Sequence, residues 1–151
     1  MSADFITVRT PERFNSIGAS KLPGHLGIII TQVSATRVSG ELTIVESVMA
    51  PNGYLHAGTV VTLADTLCGY GRVANLPGDA RGFTTIELKS NHLGTALEGT
   101  IVGVATPLHR GKTTQVWDAV VTHKESGRTL AVFRCTQMIL YARQKPAAKS
   151  P

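Results

Sequence analysis

From Leu26 onward the run LGIIITQVSATRVSGELTIVES is dense in Ile, Val and Thr interleaved with polar residues and broken at Ser39-Gly40. β-Branched residues alternating in this way favour strands, so two are expected, at about 26–35 and 37–48. After the turn signature Pro51-Asn52-Gly53 the period changes: Val60, Leu63, Ala64, Leu67, Gly71 and Ala74 recur at steps of three and four. That spacing predicts a helix over about 56–75, stopped by Pro77-Gly78. Val61, Cys68, Tyr70 and Val73 carry apolar character onto its other faces, so the helix should be surrounded by protein. Past residue 80 strands return, at about 82–92, 97–106, 113–123 and 128–140, with turns at His109-Arg110-Gly111 and Ser126-Gly127. Residues 1–24 read as a lead-in segment, with a short helix near Pro11 to Ile17 and a loop at Leu22-Pro23-Gly24.

No helix separates the last four strands, which excludes a parallel doubly wound sheet, since parallel neighbours need long crossovers. The expected fold class is α+β: an antiparallel sheet wrapped around one central helix. At 151 residues there is room for one core, placed at 25–141, with a flexible basic tail over 142–151.

The formal charge of +5 owes three of its positive charges to Arg143, Lys145 and Lys149 in that tail, so the folded body is only mildly basic. Aromatic residues stand at 5% and are scattered, which argues against a stacking surface for nucleic acid. Cys68 and Cys135 both fall in apolar periodic stretches and read as buried reduced thiols, pointing to a cytoplasmic setting. Asp4, Arg9, Glu12 and Arg13 interrupt any signal core, and no stretch approaches the roughly 20 apolar residues that span a bilayer, so no membrane partner is expected. His25, His92, His109 and His123 lack short paired spacings, so no metal site is expected.

Asp65 is the only acidic residue between Glu46 and Asp79, and it falls in the middle of the most apolar helix. An unpartnered carboxylate there costs several kcal/mol in lost hydration, so it has to be hydrogen-bonded, open to a cleft, or raised in pKa. His56-Ala57-Gly58 opens the same helix, where unpaired amides and the helix dipole favour an oxyanion and small residues allow a carbonyl close approach. Gly58 and Asp65 are seven residues apart, about 10 Å of helical rise, too far for both to meet one carbonyl. Two antiparallel helices across a two-fold axis resolve this, each acid facing the other helix's amino end. A homodimer is the minimum assembly expected, and a homotetramer, as a dimer of dimers, the full one.

The stretch NGYLHAGTVVTLADTLCGYG resembles the helix signature of hotdog-fold acyl-CoA thioesterases of the phenylacetate-pathway and 4-hydroxybenzoyl-CoA type, where an acid stands nine positions after the His of a His-Gly-Gly start. Asp65 is nine after His56, and Ala57 takes the place of the first Gly. His109-Arg110-Gly111-Lys112-Thr113-Thr114, followed by Trp117-Asp118, is similar to the turn and strand that help hold the coenzyme A nucleotide in that family. The resemblance covers about residues 25–141. It implies hydrolysis of an acyl-CoA thioester, with Asp65 as nucleophile or general base. The Ala57 amide, with that of Gly58, would polarise the carbonyl while His56 shapes the loop. Asn52 would stand in for the Gln or Asn that precedes the family's His. Val60, Leu63 and Leu67 would line the acyl group, and Arg110, Lys112 and Thr113 would meet the nucleotide. No cofactor is expected, coenzyme A being part of the substrate. Two other readings stay open from residues alone: a hotdog hydratase or dehydratase, and an acyl-CoA binding module without catalysis.

Overall fold

A computed structural model describes residues 9–142. The lead-in holds α1 (Pro11–Gly18), capped by the Thr10 side chain, and the one-turn α2 (Leu22–His25). Strands β1 (Ile29–Val33) and β2 (Val38–Thr43) follow, then a single 3-10 turn (Glu46–Val48). The long helix α3 (Ala57–Ala74) precedes β3 (Ala80–His92), β4 (Thr100–Arg110), β5 (Thr114–His123) and β6 (Thr129–Tyr141). All neighbours pair antiparallel in one sheet of order β1-β2-β4-β5-β6-β3. The step from β2 to β3 crosses from one side of the sheet to the opposite edge, and α3 makes that crossing over the sheet's inner face.

Glycines set how closely α3 lies. A methyl group on Gly103 would come within 2.5 Å of Leu67 Cδ1, and one on Gly40 within 2.9 Å of Leu67 Cδ2, so bare backbone in β2 and β4 lets Leu63 and Leu67 press into the sheet. Gly71 does the reverse: its Cα faces the wholly buried Trp117, where a Cβ would stand 2.5 Å from ring carbon Cζ3. Gly71→Ala is expected to cost about 1–3 kcal/mol through overpacking, read as a lower denaturant midpoint at constant slope. An unchanged midpoint would mean that the indole has room to retreat.

Several details differ from the sequence reading. The lead-in is part of the core: Phe14 is buried and stacks on Tyr70 with ring centroids 4.3 Å apart, and Asn15 bonds both the amide and the carbonyl of Ile30. Leu22-Pro23-Gly24 forms a helical turn, because Pro23 lies in the first turn, where its missing amide is not needed, and Gly24 sits against the Ala19 carbonyl, where a Cβ would clash. The second strand ends at Thr43 and gives way to the 3-10 turn. The fourth begins only after Gly99, whose φ of +90° turns the chain. That strand runs on to Arg110, so the hairpin turns at 111–113. The expected tail lies outside the described residues except for Ala142.

Candidate active site

His56 caps α3 with extended backbone (φ −67°, ψ 132°), and its Nδ1 accepts from the Gly58 amide at 2.8 Å. The neutral ring then carries its proton on Nε2. Gly58 is held to glycine by this contact, since a Cβ would lie 2.9 Å from Nδ1. The amides of Thr59 and Val60 donate to the His56 carbonyl at 3.0 and 3.4 Å. Among the first helical amides this leaves Ala57 N–H without an acceptor among the described residues, at an exposed position. The pair of donors expected from Ala57 and Gly58 is therefore one donor, because the imidazole occupies the other.

Asp65 sits at mid-helix, half-buried, and its Oδ1 is shielded from solvent with no hydrogen-bond partner among the described residues. Burial pushes its carboxyl above the ordinary 3.8. Its face of the helix is fixed by Gly69, one turn on, where a methyl group would rest 3.7 Å from Phe83 Cζ of β3. Asp65 thus looks over β3, the strand at the sheet's edge. Phe83, Thr85, Leu88 and Ser90 of β3 pair with Ile139, Gln137, Cys135 and Phe133, all buried, so these four point to the helix side. Leu88 is nonetheless 45% exposed, and Ile86, in the irregular step between Thr85 and Glu87, is 54% exposed. Among the described residues the 13-residue β3 has no strand neighbour on its outer side. A long open edge with apolar side chains is a template for another strand.

The structure places the remaining expected residues as follows. Asn52 spends its Oδ1 on the Tyr54 amide, within the turn that includes Gly53 at φ +84°, and serves as a turn residue. Val60, Leu63 and Leu67 are buried in the protomer's own core, where the glycines of β2 and β4 let Leu63 and Leu67 press into the sheet. Arg110 donates to Asn75 Oδ1 and the Ala35 carbonyl, the Lys112 carbonyl accepts from Tyr141, and the Thr113 carbonyl accepts from the Ile139 amide. These three stand at the carboxyl end of α3, opposite His56 within one protomer. Trp117 is core, and Asp118 forms a bidentate pair with Arg134 on the outer face of the sheet at 2.6 and 2.8 Å.

Sequence reading passed over Arg72 and Gln137. Both are wholly buried, and among the described residues neither side chain has a hydrogen-bond partner for the three guanidinium nitrogens or for either amide atom. Burial lowers Arg72 to about 10, which leaves it charged at neutral pH. The one available signal is spacing, since Arg72 lies seven residues after Asp65 and so returns to the same helix face. Among the described residues no cluster of His, Cys, Asp or Glu is built to hold a metal ion, and no helix is long and apolar enough to cross a membrane.

A half-buried helix carboxylate with one orphaned oxygen has the chemistry of a base or nucleophile, and an exposed helix-start amide that of an oxyanion donor, the two parts that acyl transfer requires. A sequence profile described as the thioesterase superfamily matches residues 52–131, from the turn before α3 into β6. Over 111 residues the chain is 34% identical to the 1,4-dihydroxy-2-naphthoyl-CoA hydrolase of Listeria monocytogenes, covering 74% of this chain and 89% of that protein. Over 133 residues it is 29% identical to the proofreading thioesterase EntH of Cronobacter sakazakii, covering 87% and 94%. Among solved structures, a thioesterase from Haemophilus influenzae superposes with a TM-score of 0.83 at 25% identity, over 93% of this chain and 97% of that one. With its antiparallel sheet laid around one long helix, the molecule has the hotdog fold, and the chain belongs to the thioesterase superfamily, whose shared chemistry is the hydrolysis of thioesters.

Proposed function

We propose that this chain hydrolyses acyl-CoA thioesters at two equivalent sites shared between the copies of a homodimer. The observation that carries the reading is the orphaned carboxylate oxygen of Asp65, held on the helix face that looks over an unpaired strand. Pairing β3 with β3 of a second copy covers the open edge and lays the two α3 helices antiparallel. The Ala57 amide of one copy then approaches Asp65 of the other, which removes the roughly 10 Å separation within one helix. The same operation brings the 110–113 turn of one copy to the end where the other's helix begins, and this places Arg110 and Lys112 within range of the nucleotide. The exposed Val120, Val132, Met138 and Leu140 on the outer face of the sheet offer a surface on which two dimers form a tetramer. A coenzyme A thioester as substrate is supported by the Listeria relative, named for one.

Asp65 attacks the thioester carbonyl carbon directly, or takes a proton from the water that does so. The carbonyl oxygen gains the negative charge and is met by the Ala57 amide. The C–S bond breaks, and the sulfur leaves as thiolate and takes up a proton; the water route gives the free acid at once, and the direct route leaves an acyl anhydride on Asp65, which a water hydrolyses to the free acid and the Asp65 carboxylate. Loss of one such amide donor costs about 3–4 kcal/mol in other acyl-transfer enzymes.

Thiol release from a panel of aromatic, short and long aliphatic acyl-CoAs tests the reading. Hydrolysis of at least one supports it; a product that keeps its thioester, as a dehydratase leaves, contradicts it. Because Asp65 acts ionised and burial raises its pKa, the acid limb of the rate profile is expected to turn above the ordinary carboxyl value of 3.8. A limb at or below that value would place another group in the role.

A further inference from the structure

The turn between β5 and β6 joins a serine, a histidine and a glutamate. His123 Nδ1 lies 2.8 Å from Ser126 Oγ, and its Nε2 lies 3.0 Å from the Glu98 carbonyl oxygen and 3.1 Å from Glu125 Oε2. Two acceptors at Nε2 fix the ring proton there, so Nδ1 is left to accept from the Ser126 hydroxyl. Hydroxyl, imidazole and carboxylate in that order are what activates a serine nucleophile. Glu125 is anchored in turn: the Thr100 amide donates to both carboxylate oxygens at 3.1 Å, which holds the carboxyl below its ordinary 4.5. Gly99, at φ +90°, packs against the pair, where a Cβ would stand 2.6 Å from Glu125 Oε2 and 2.7 Å from His123 Nε2.

His123 and Ser126 open onto a cavity of about 530 Å³, walled also by Tyr54, Ala96, Leu97 and Arg128. That volume suits a small molecule. Tyr54 is 47% exposed and Leu97 61%, apolar surface open to a ligand. The Arg128 amide donates to Ser126 Oγ at 3.3 Å, and its guanidinium, bonded to the Thr95 carbonyl, supplies a cation in the wall for a developing oxyanion. None of these residues belongs to the Asp65 site. We propose that Ser126, His123 and Glu125 form a second acyl-transfer site, which hydrolyses small uncharged carboxylic esters. Glu98 and Glu125 outweigh the one cation Arg128, since Lys124 is paired with Glu41, so the surroundings turn away the phosphates of a nucleotide thioester.

Ser126 Oγ bonds the ester carbonyl carbon while its proton passes to His123 Nδ1. The C–O bond to the alcohol breaks, and the alkoxide takes that proton. A water then gives a proton to His123 and its oxygen to the acyl carbon. The bond to Oγ breaks, Oγ recovers the proton, and the free acid leaves.

Hydrolysis of p-nitrophenyl butyrate by the Asp65→Asn protein tests this site apart from the first. Its rate is expected to exceed those of Asp65→Asn/Ser126→Ala and Asp65→Asn/His123→Gln by about 100-fold or more. Phenylmethylsulfonyl fluoride should sulfonylate Ser126, as located by peptide mass spectrometry. In an otherwise native chain, Ser126→Ala should leave thiol release from acyl-CoA unchanged. Equal ester rates with and without Ser126, or a sulfonyl label absent from Ser126 in the folded Asp65→Asn protein, overturns the second site and leaves the Asp65 reading untouched. Thiol release that falls in Ser126→Ala would merge the two sites and overturn their separation as well.

Discussion

Asp65→Asn is expected to lower kcat by about 10²–10⁴-fold, the range for removing a positioned general acid or base. The replacement keeps the shape and removes only the charge and basicity, so the fold and assembly should survive. Stability should rise near neutral pH. The folded chain holds the Asp65 carboxyl proton more tightly than the unfolded chain, whose value is the ordinary 3.8. Stabilisation from that proton is complete below 3.8 and is lost as pH rises through the higher folded value. At pH 7 the native protein therefore carries a charge that its burial disfavours, and Asn does not. The Tm of the variant should exceed that of the native chain at pH 7, and the gap should close in acid. A variant that is inactive but less stable at pH 7 would mean that the ionised carboxylate has a stabilising partner in the assembled protein.

Ala57→Pro isolates the other half of the site. Ala57 is the first residue of α3, where proline is well accommodated because that amide has no helical acceptor. The preceding His56, at φ −67° and ψ 132°, already has the backbone that a residue before proline adopts. The substitution thus removes one N–H and leaves the helix in place. The His56 to Gly58 bond that shapes the loop can persist. Turnover is expected to fall by about 10²–10³-fold with little change in Tm. Near-normal turnover in a folded variant would move the oxyanion contact elsewhere.

The central helix and the run of later strands were legible because each has a period that a single chain displays: steps of three and four through Val60, Leu63, Leu67 and Gly71, and alternation from residue 80 onward. Asp65 stood out for the same reason, an acid where the period demands apolar residues. What the period could not show is which apolar face meets which surface. That Leu63 and Leu67 press onto bare backbone at Gly40 and Gly103, on strands far away in sequence, is seen only in the fold. The use of the Gly58 amide by the His56 ring was equally hidden, as it depends on a side-chain rotamer at the cap. Arg72, in the last turn of a helix, has the look of a solvated cation that favours the helix dipole. Its full burial shows only once the chain is folded.

Whether each site takes its acid from one chain and its amide from another is decided by mixing two inactive variants. Asp65→Asn and Ala57→Pro chains, refolded together in equal amounts, form half of their dimers as hybrids, and each hybrid holds one site with both groups intact. Activity about one quarter of wild type is expected from the mixture when each unmixed variant is nearly inactive. A mixture no more active than its components would place both groups in one chain and contradict the shared site.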